Sequence, residues 1–229
     1  MSGLAKRMEG VPHQTWVCTG NFWDAVSEVI AANRINFLVA GTHGRTGVSK
    51  LLMGSTAEEI LRRAPCPVLT VGPGVSRHGG LAPRGDGNAA PGEIRFQQIV
   101  YATDFTPQSR AAKPLAVSLA REFQAQLTLL HVIEEYADLT RKPSPIESAS
   151  RRLEELTTRE GNLGHRPKVL VEFGPAADRI LEAAVEHHAD LIVLGVRLPG
   201  RLGVTSHVPW ATVPKVVAGA PCPVLTVRG

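Results

Sequence analysis

Cysteine is scarce in this chain of 229 residues, and the three present, Cys18, Cys66 and Cys222, are widely spaced. None forms a Cys-x-x-Cys pair or a zinc-ligand pattern, which excludes a disulfide scaffold and a structural zinc module. Cys66 and Cys222 each stand between prolines at the head of an apolar run and read as small buried thiols. Aromatics are few, with 6 Phe, 3 Trp and 2 Tyr, and they never interleave with a basic run. The formal charge of +4 and the pI near 9.2 therefore describe a solvated surface, not a nucleic-acid footprint. No apolar run approaches the roughly 18 residues that a membrane span requires. The first nine residues carry charge without an apolar segment, so no secretory leader is read and a cytoplasmic location is expected. Eight histidines are present, but no pair has His-x-x-x-His spacing, and the adjacent His187 and His188 complement a helix C-terminus. No Ser-His-Asp or Cys-His set can be assembled, so no catalytic residue and no metal ligand is assigned, and a non-enzymatic role is expected.

What the chain does have is hydrophobic residues at 43% and charged residues at 20%, enough for one large or two small domains with real cores. Its most informative stretch is Gly41-Thr42-His43-Gly44-Arg45-Thr46-Gly47-Val48-Ser49-Lys50-Leu51-Leu52-Met53-Gly54-Ser55-Thr56. An apolar run over 37–40 precedes it and reads as a buried parallel strand. A helical pattern over 57–63 follows it. Ser55 and Thr56 are both good N-caps, and Glu58 and Glu59 lie three residues after them, so two overlapping capping boxes mark the helix start. Strand, glycine-rich loop and capped helix gather unpaired amides and a helix N-terminus at one place, an arrangement that suits phosphate. The spacing fits neither the P-loop, since no Gly-Lys-Ser/Thr follows, nor the dinucleotide fingerprint.

The chain also repeats itself. The segment 20–41 lines up with 174–195, which brings Asp24 onto Asp178 and Glu28 onto Glu182. Ala64-Pro65-Cys66-Pro67-Val68-Leu69-Thr70-Val71 recurs as Ala220-Pro221-Cys222-Pro223-Val224-Leu225-Thr226-Val227. Between the copies, 74–94 is rich in Gly and Pro and reads as a flexible linker. The second copy, 95–229, is whole. Strands are expected at 99–103, 127–132, 168–173, 191–194 and 224–227, with helices at 106–123, 146–160 and 176–188. Strands alternating with helices, several strands being continuous apolar runs, indicate a parallel sheet covered on both faces. The first copy, 1–73, is partial: it begins with a third-strand equivalent at 14–18 and lacks the first two strands and helices. Without them the segment around Trp16 loses its ladder partners.

The words VAGTHGRTGVSKLLMGSTAEEILRRAPCPVLTV resemble the universal stress protein family, and the resemblance extends over nearly all the chain except the linker and the first dozen residues. It implies a flavodoxin-like doubly wound α/β sheet of strand order 3-2-1-4-5, with a ligand past the carboxyl ends of strands 1 and 4. It implies ATP, with Mg²⁺ accompanying it, as the possible cofactor. Phosphate contacts are then expected from Gly41, Gly44, Gly54, Ser55 and Thr56 in the first copy and from Gly195 in the second. Adenine and ribose contacts are expected from Thr103, Asp104 and Val132. Asp104 has a second reading, as the cap of the helix that opens near Pro107. The second copy departs from the pattern because Trp210 and Ala211 stand where Gly54 and Ser55 stand in the first. Pro214 is expected to spoil the helix after them. Neither half-site is complete, and the family's pairing of copies through their fifth strands, here 68–71 against 224–227, sets the two sites apart.

These features imply a stress-response protein with a regulatory or protective role exercised through protein contacts, as a pseudo-dimer of its two copies and possibly as a homodimer. The alternative is an adenine-nucleotide binder with weak hydrolysis or a switching role. Nucleic acid and membrane are not expected partners.

Overall fold

Apolar residues occur at 99–102 and 191–194 as unbroken runs and at 127–130 interrupted only by the buried Thr128, and each stretch becomes a strand with both faces covered. The computed structural model describes residues 10–42, 53–75, 95–134, 144–158, 163–196 and 212–229. Its strands are β1 (Leu38–Gly41), β2 (Val68–Val71), β3 (Gln98–Ala102), β4 (Gln126–Ile133), β5 (Lys168–Phe173), β6 (Leu191–Val196) and β7 (Val224–Arg228). They form one seven-stranded sheet in the order β1-β2-β7-β6-β3-β4-β5. Every neighbouring pair is parallel except β2 and β7. From β3 to β7 the winding starts in the middle, runs out to β5, then returns and runs the other way. The reversal lies between β3 and β6.

Residues Met1–Ile35 form a unit of their own. Its helix α1 (Phe22–Asn33) starts on Asn21, whose side chain accepts from the amides of Trp23 and Asp24, and stops on Arg34 in the left-handed region. The segment 14–18 is not the strand expected, and Trp16 and Val17 are 49% and 73% exposed. Among the described residues no strand pairs with it, so its amides join no ladder there.

The remaining helices all belong to the unit that holds the sheet. They are α2 (Ser55–Arg63), α3 (Pro107–Ala111), α4 (Lys113–Glu122), α5 (Pro145–Thr158), α6 (Ala176–Glu186) and α7 (Thr212–Gly219). On one face Val100, Ile192, Leu194 and Val224 pack with Ile180 and Ala184 of α6, Val213 and Val216 of α7, and Leu61 of α2. On the other face Ile99, Tyr101, Leu129 and Val193 pack with Ala116 and Val117 of α4 and Leu153 of α5. Asp190 is buried just before β6 and accepts from the amides of Gln97 and Gln98, which pins the starts of β3 and β6 together.

Two helices depart from expectation. The stretch 106–123 is two helices, because Pro114 has no amide to give Arg110 and its ring crowds that carbonyl, and the chain breaks at Ala112. The helix after the second glycine loop is intact. Pro214 is the third residue of α7, where amides have no partner within the helix, so the proline costs no hydrogen bond.

At the seam, β2 and β7 pair Val68 with Thr226 and Thr70 with Val224. The Thr70 hydroxyl donates to the Val224 carbonyl at 3.0 Å and the Thr226 hydroxyl donates to the Val68 carbonyl at 3.2 Å, a reciprocal pair between equivalent residues of the two repeats. Both threonines are buried. Thr70→Val and Thr226→Val are each expected to cost about 1 kcal/mol, the net worth of a hydrogen bond. Urea unfolding with an unchanged m-value and a lower midpoint is the check. Unmoved midpoints in both variants would remove the reciprocal bonds from the energetics of the seam.

Candidate functional site

Where the winding reverses, the strand ends of β3 and β6 leave a crevice, the usual place for a ligand in an open α/β sheet. A cavity of about 190 Å³ opens there. Thr103, Asp104, Thr106 and Ser109 line one side, Val132 and Glu134 from the end of β4 line another, and Gly195 and Thr212 line the rest, with Leu130, Ile180 and Leu194 as apolar floor.

The turn that follows β3 is tied at almost every polar atom. The Thr103 amide donates to the Leu130 carbonyl at 2.9 Å. The Thr103 hydroxyl accepts from the Phe105 amide at 3.0 Å and lies 2.9 Å from the Ser109 hydroxyl. Asp104 Oδ1 accepts from both the amide and the hydroxyl of Thr106, at 2.9 and 2.6 Å. Thr106 in turn caps α3 by accepting from the Ser109 amide at 3.2 Å. The cap is therefore Thr106, and Asp104 is the group that holds the cap. Tyr101 reaches the same place from inside the sheet, its hydroxyl donating to the Ser109 carbonyl at 3.0 Å. Burial pushes the Tyr101 phenol up to about 12, so it remains a donor.

Partial burial raises the Asp104 pKa, but hydrogen bonds from Ser109 and Thr106 outweigh it and leave the carboxyl below its ordinary value. Asp104 is thus a carboxylate at neutral pH. Glu134 is the second acid at the rim, and its Oε1 accepts from the amide of Ala176, the first residue of α6, at 3.0 Å. The polar wall is rich in acceptors and hydroxyls, suited to a ligand that brings donors, such as the hydroxyls of a sugar or an exocyclic amine.

Thr103, Asp104, Val132 and Gly195 are brought to this one cavity, although they come from three separate strand ends. Gly195 serves packing first. A Cβ there would lie 2.3 Å from both the Gln108 carbonyl oxygen and the Ser109 Cα, so the glycine is what lets α3 rest on β6. Gly41, Gly54, Ser55 and Thr56 do not line the cavity; they belong to β1 and α2. Neither Ser55 nor Thr56 is a cap. Gly54 is the N-cap with no side-chain bond, because its amide donates to the Thr42 carbonyl at 3.1 Å and its carbonyl accepts from Glu58, so the helix begins one residue early. The acids placed as capping partners instead meet the last turn, with Glu59 pairing Arg63 at 2.8 Å. Gly44, Trp210 and Ala211 lie outside the described residues. Thr106, Ser109, Glu134 and Thr212 were not singled out from the sequence. The spacing of Thr103, Thr106 and Ser109 by threes was the available signal for the first two.

The model of the universal stress protein family matches residues 3–72 and 95–228. A universal stress protein of Thermus aquaticus is 35% identical over 138 residues, which is 58% of this chain and 99% of that protein. One from Synechocystis is 31% identical over 150 residues, 63% of this chain and 93% of that protein. The crystal structure of a universal stress protein from Archaeoglobus fulgidus is similar with a TM-score of 0.62 at 22% identity, a likeness of fold that covers 89% of this chain and spans 66% of that one.

Two predictions come from the site's geometry. Gly195→Ala is expected to destabilise by roughly 3 kcal/mol, as overpacking against backbone does. Gly41→Ala, at the equivalent position of the first repeat with no described residue within 4 Å, is expected to stay within about 0.5 kcal/mol. Equal midpoints in urea would contradict this. The lowered Asp104 pKa makes its stabilisation fully present above the ordinary carboxyl pKa and lost as pH falls through the folded value. Asp104→Asn is therefore expected to flatten the acid limb of a stability–pH curve. A limb as steep as the wild type's would assign it to other acids.

Proposed function

Because the chain belongs to the universal stress protein family, we propose that it is a non-enzymatic regulatory protein whose second repeat binds an adenine nucleotide or nucleoside at the β3/β6 crevice. The observation that carries this reading is the convergence of Thr103, Asp104, Val132 and Gly195 on one cavity at the winding reversal. In it Asp104 and the neighbouring hydroxyls accept from ribose or base, and the apolar floor takes a ring face. Phosphates, if present, lie toward Thr212 at the start of α7, where helix amides favour an anion. Magnesium arrives on those phosphates, not in a protein cage, in keeping with its preference for water and phosphate oxygen. Among the described residues no group of three or more His, Cys, Asp or Glu is placed to hold a metal ion, and no helix is long and apolar enough to cross a membrane.

In this reading residues 1–73 are a partial repeat, 74–94 a linker and 95–229 a complete repeat. The antiparallel β2–β7 seam supports treating the two as a pseudo-dimer. A second reading, regulation through protein contacts, is favoured by β1, which ends the sheet and carries Val39 66% exposed beside Phe37 at 42%.

Thermal unfolding with ATP-Mg²⁺ and with adenosine is the test, on the wild type and on Asp104→Ala. A ligand at about 100 times its Kd stabilises by about 2.7 kcal/mol, which for a chain of this size raises Tm by roughly 5 to 10 °C. The rise is expected in the wild type and lost in Asp104→Ala. No rise with either ligand in the wild type would leave the protein-contact reading in its place.

A further inference from the structure

We propose that His131 is a positioning residue of this cavity: it does not line the cavity but fixes the turn that presents Asp104, by a hydrogen bond to Thr103 and by ring contact with Phe105. The proposal rests on reading the crevice as a ligand site. His131 lies on β4 between Leu130 and Val132, both of which line the cavity. Its Nδ1 is 2.8 Å from the Thr103 carbonyl oxygen. A carbonyl only accepts, so Nδ1 carries the hydrogen and the neutral ring is held in its Nδ1–H tautomer. The imidazole and the Phe105 ring are 4.4 Å apart between centroids at a tilt of 37°. The guanidinium of Arg152, from α5, lies over the same phenyl ring at 3.9 Å.

Phe105 needs such support. Its φ is +64°, a left-handed conformation that a bulky residue adopts only where its surroundings impose it. Asp104 stands between Thr103 and Phe105, and His131 touches both. Burial, with help from the Arg152 cation and against the opposing effects of the Thr103 carbonyl and Asp104, sets the His131 pKa below its ordinary value. The ring is therefore neutral at pH 7.

Three measurements test this. Nitrogen-15 NMR of the wild-type ring should show Nδ1 protonated and Nε2 bare at neutral pH; the reverse tautomer would overturn the proposal, whatever the variants do. His131→Asn keeps a donor near the Nδ1 position, whereas His131→Phe keeps a ring and loses the donor. Calorimetric titration with ATP and with adenosine should show His131→Phe weakened roughly threefold to tenfold, the scale of one hydrogen bond, and His131→Asn restored to near the wild type. Equal loss in both variants, or none in either, would assign the histidine to packing alone. Should the wild type bind neither ligand, the functional reading fails, and the positioning role is still read by carbon-13 NMR titration of the Asp104 carboxyl. His131→Phe should raise that pKa toward its ordinary value while His131→Asn leaves it low. An unmoved pKa in His131→Phe would overturn the role.

Discussion

The arrangement of the crevice depends on one close approach of backbone to backbone. Helix α3 lies so near β6 that a methyl group at Gly195 would overlap Gln108 and Ser109, and only the missing side chain lets the helix settle on the strand. From that seat the rest follows. Ser109 comes within reach of Tyr101 beneath it and of Thr103 and Thr106 beside it. Thr106 can then cap the helix and be gripped by Asp104. A polar network of this kind is firm only when nearly every member is satisfied, and here each hydroxyl has its neighbour.

The first repeat shows what the same sequence element does without that seat. Gly41 occupies the equivalent place in β1, and a Cβ there would meet no described residue within 4 Å. Phe37 and Val39 are exposed beside it. Its stability is borrowed through the seam, where β2 adds to β7 with the reciprocal threonine bonds, and through Leu38, Ala40 and Leu61, which join the core on the other face. A two-stranded fragment with one covered face would be marginal alone, and adding to a larger sheet removes that problem.

Strain and electrostatics are concentrated in a few residues around Asp104. Phe105 is held in the left-handed region, at a cost on the order of 1 kcal/mol, by an amide bond to Thr103 and by the rings and cation around it. Asp104 is kept ionised by donors instead of by a counter-charge. Two acids at the rim, with Glu134 already engaged at the start of α6, give the described walls an accepting character.

The amino-acid sequence by itself determined most of the strands and helices of the second repeat, while their winding order is what the family resemblance implies. The apolar runs at 99–102 and 191–194 become buried strands, whereas the run at 37–40, expected to be buried as well, becomes an edge strand with Val39 66% exposed; the repeated Pro-Cys-Pro-Val-Leu-Thr-Val marks equivalent strands. The resemblance places Asp104 in the turn after the first strand, and the structure sets that turn at the crevice. Local pattern could not say that Gly54 would cap α2 in place of Ser55, because that choice turns on the carbonyl of Thr42, twelve residues back along the chain. Nor could it say that Pro214 would sit harmlessly in a first turn, that Gly195 would be needed for packing, or that Glu134 and Thr212 would join Asp104. Those outcomes depend on which residues from distant strand ends meet in space. Hydrogen bonds along the chain and burial period are short-range and can be read locally, whereas the walls of a cavity are set by the register and approach of elements that only the folded sheet brings together.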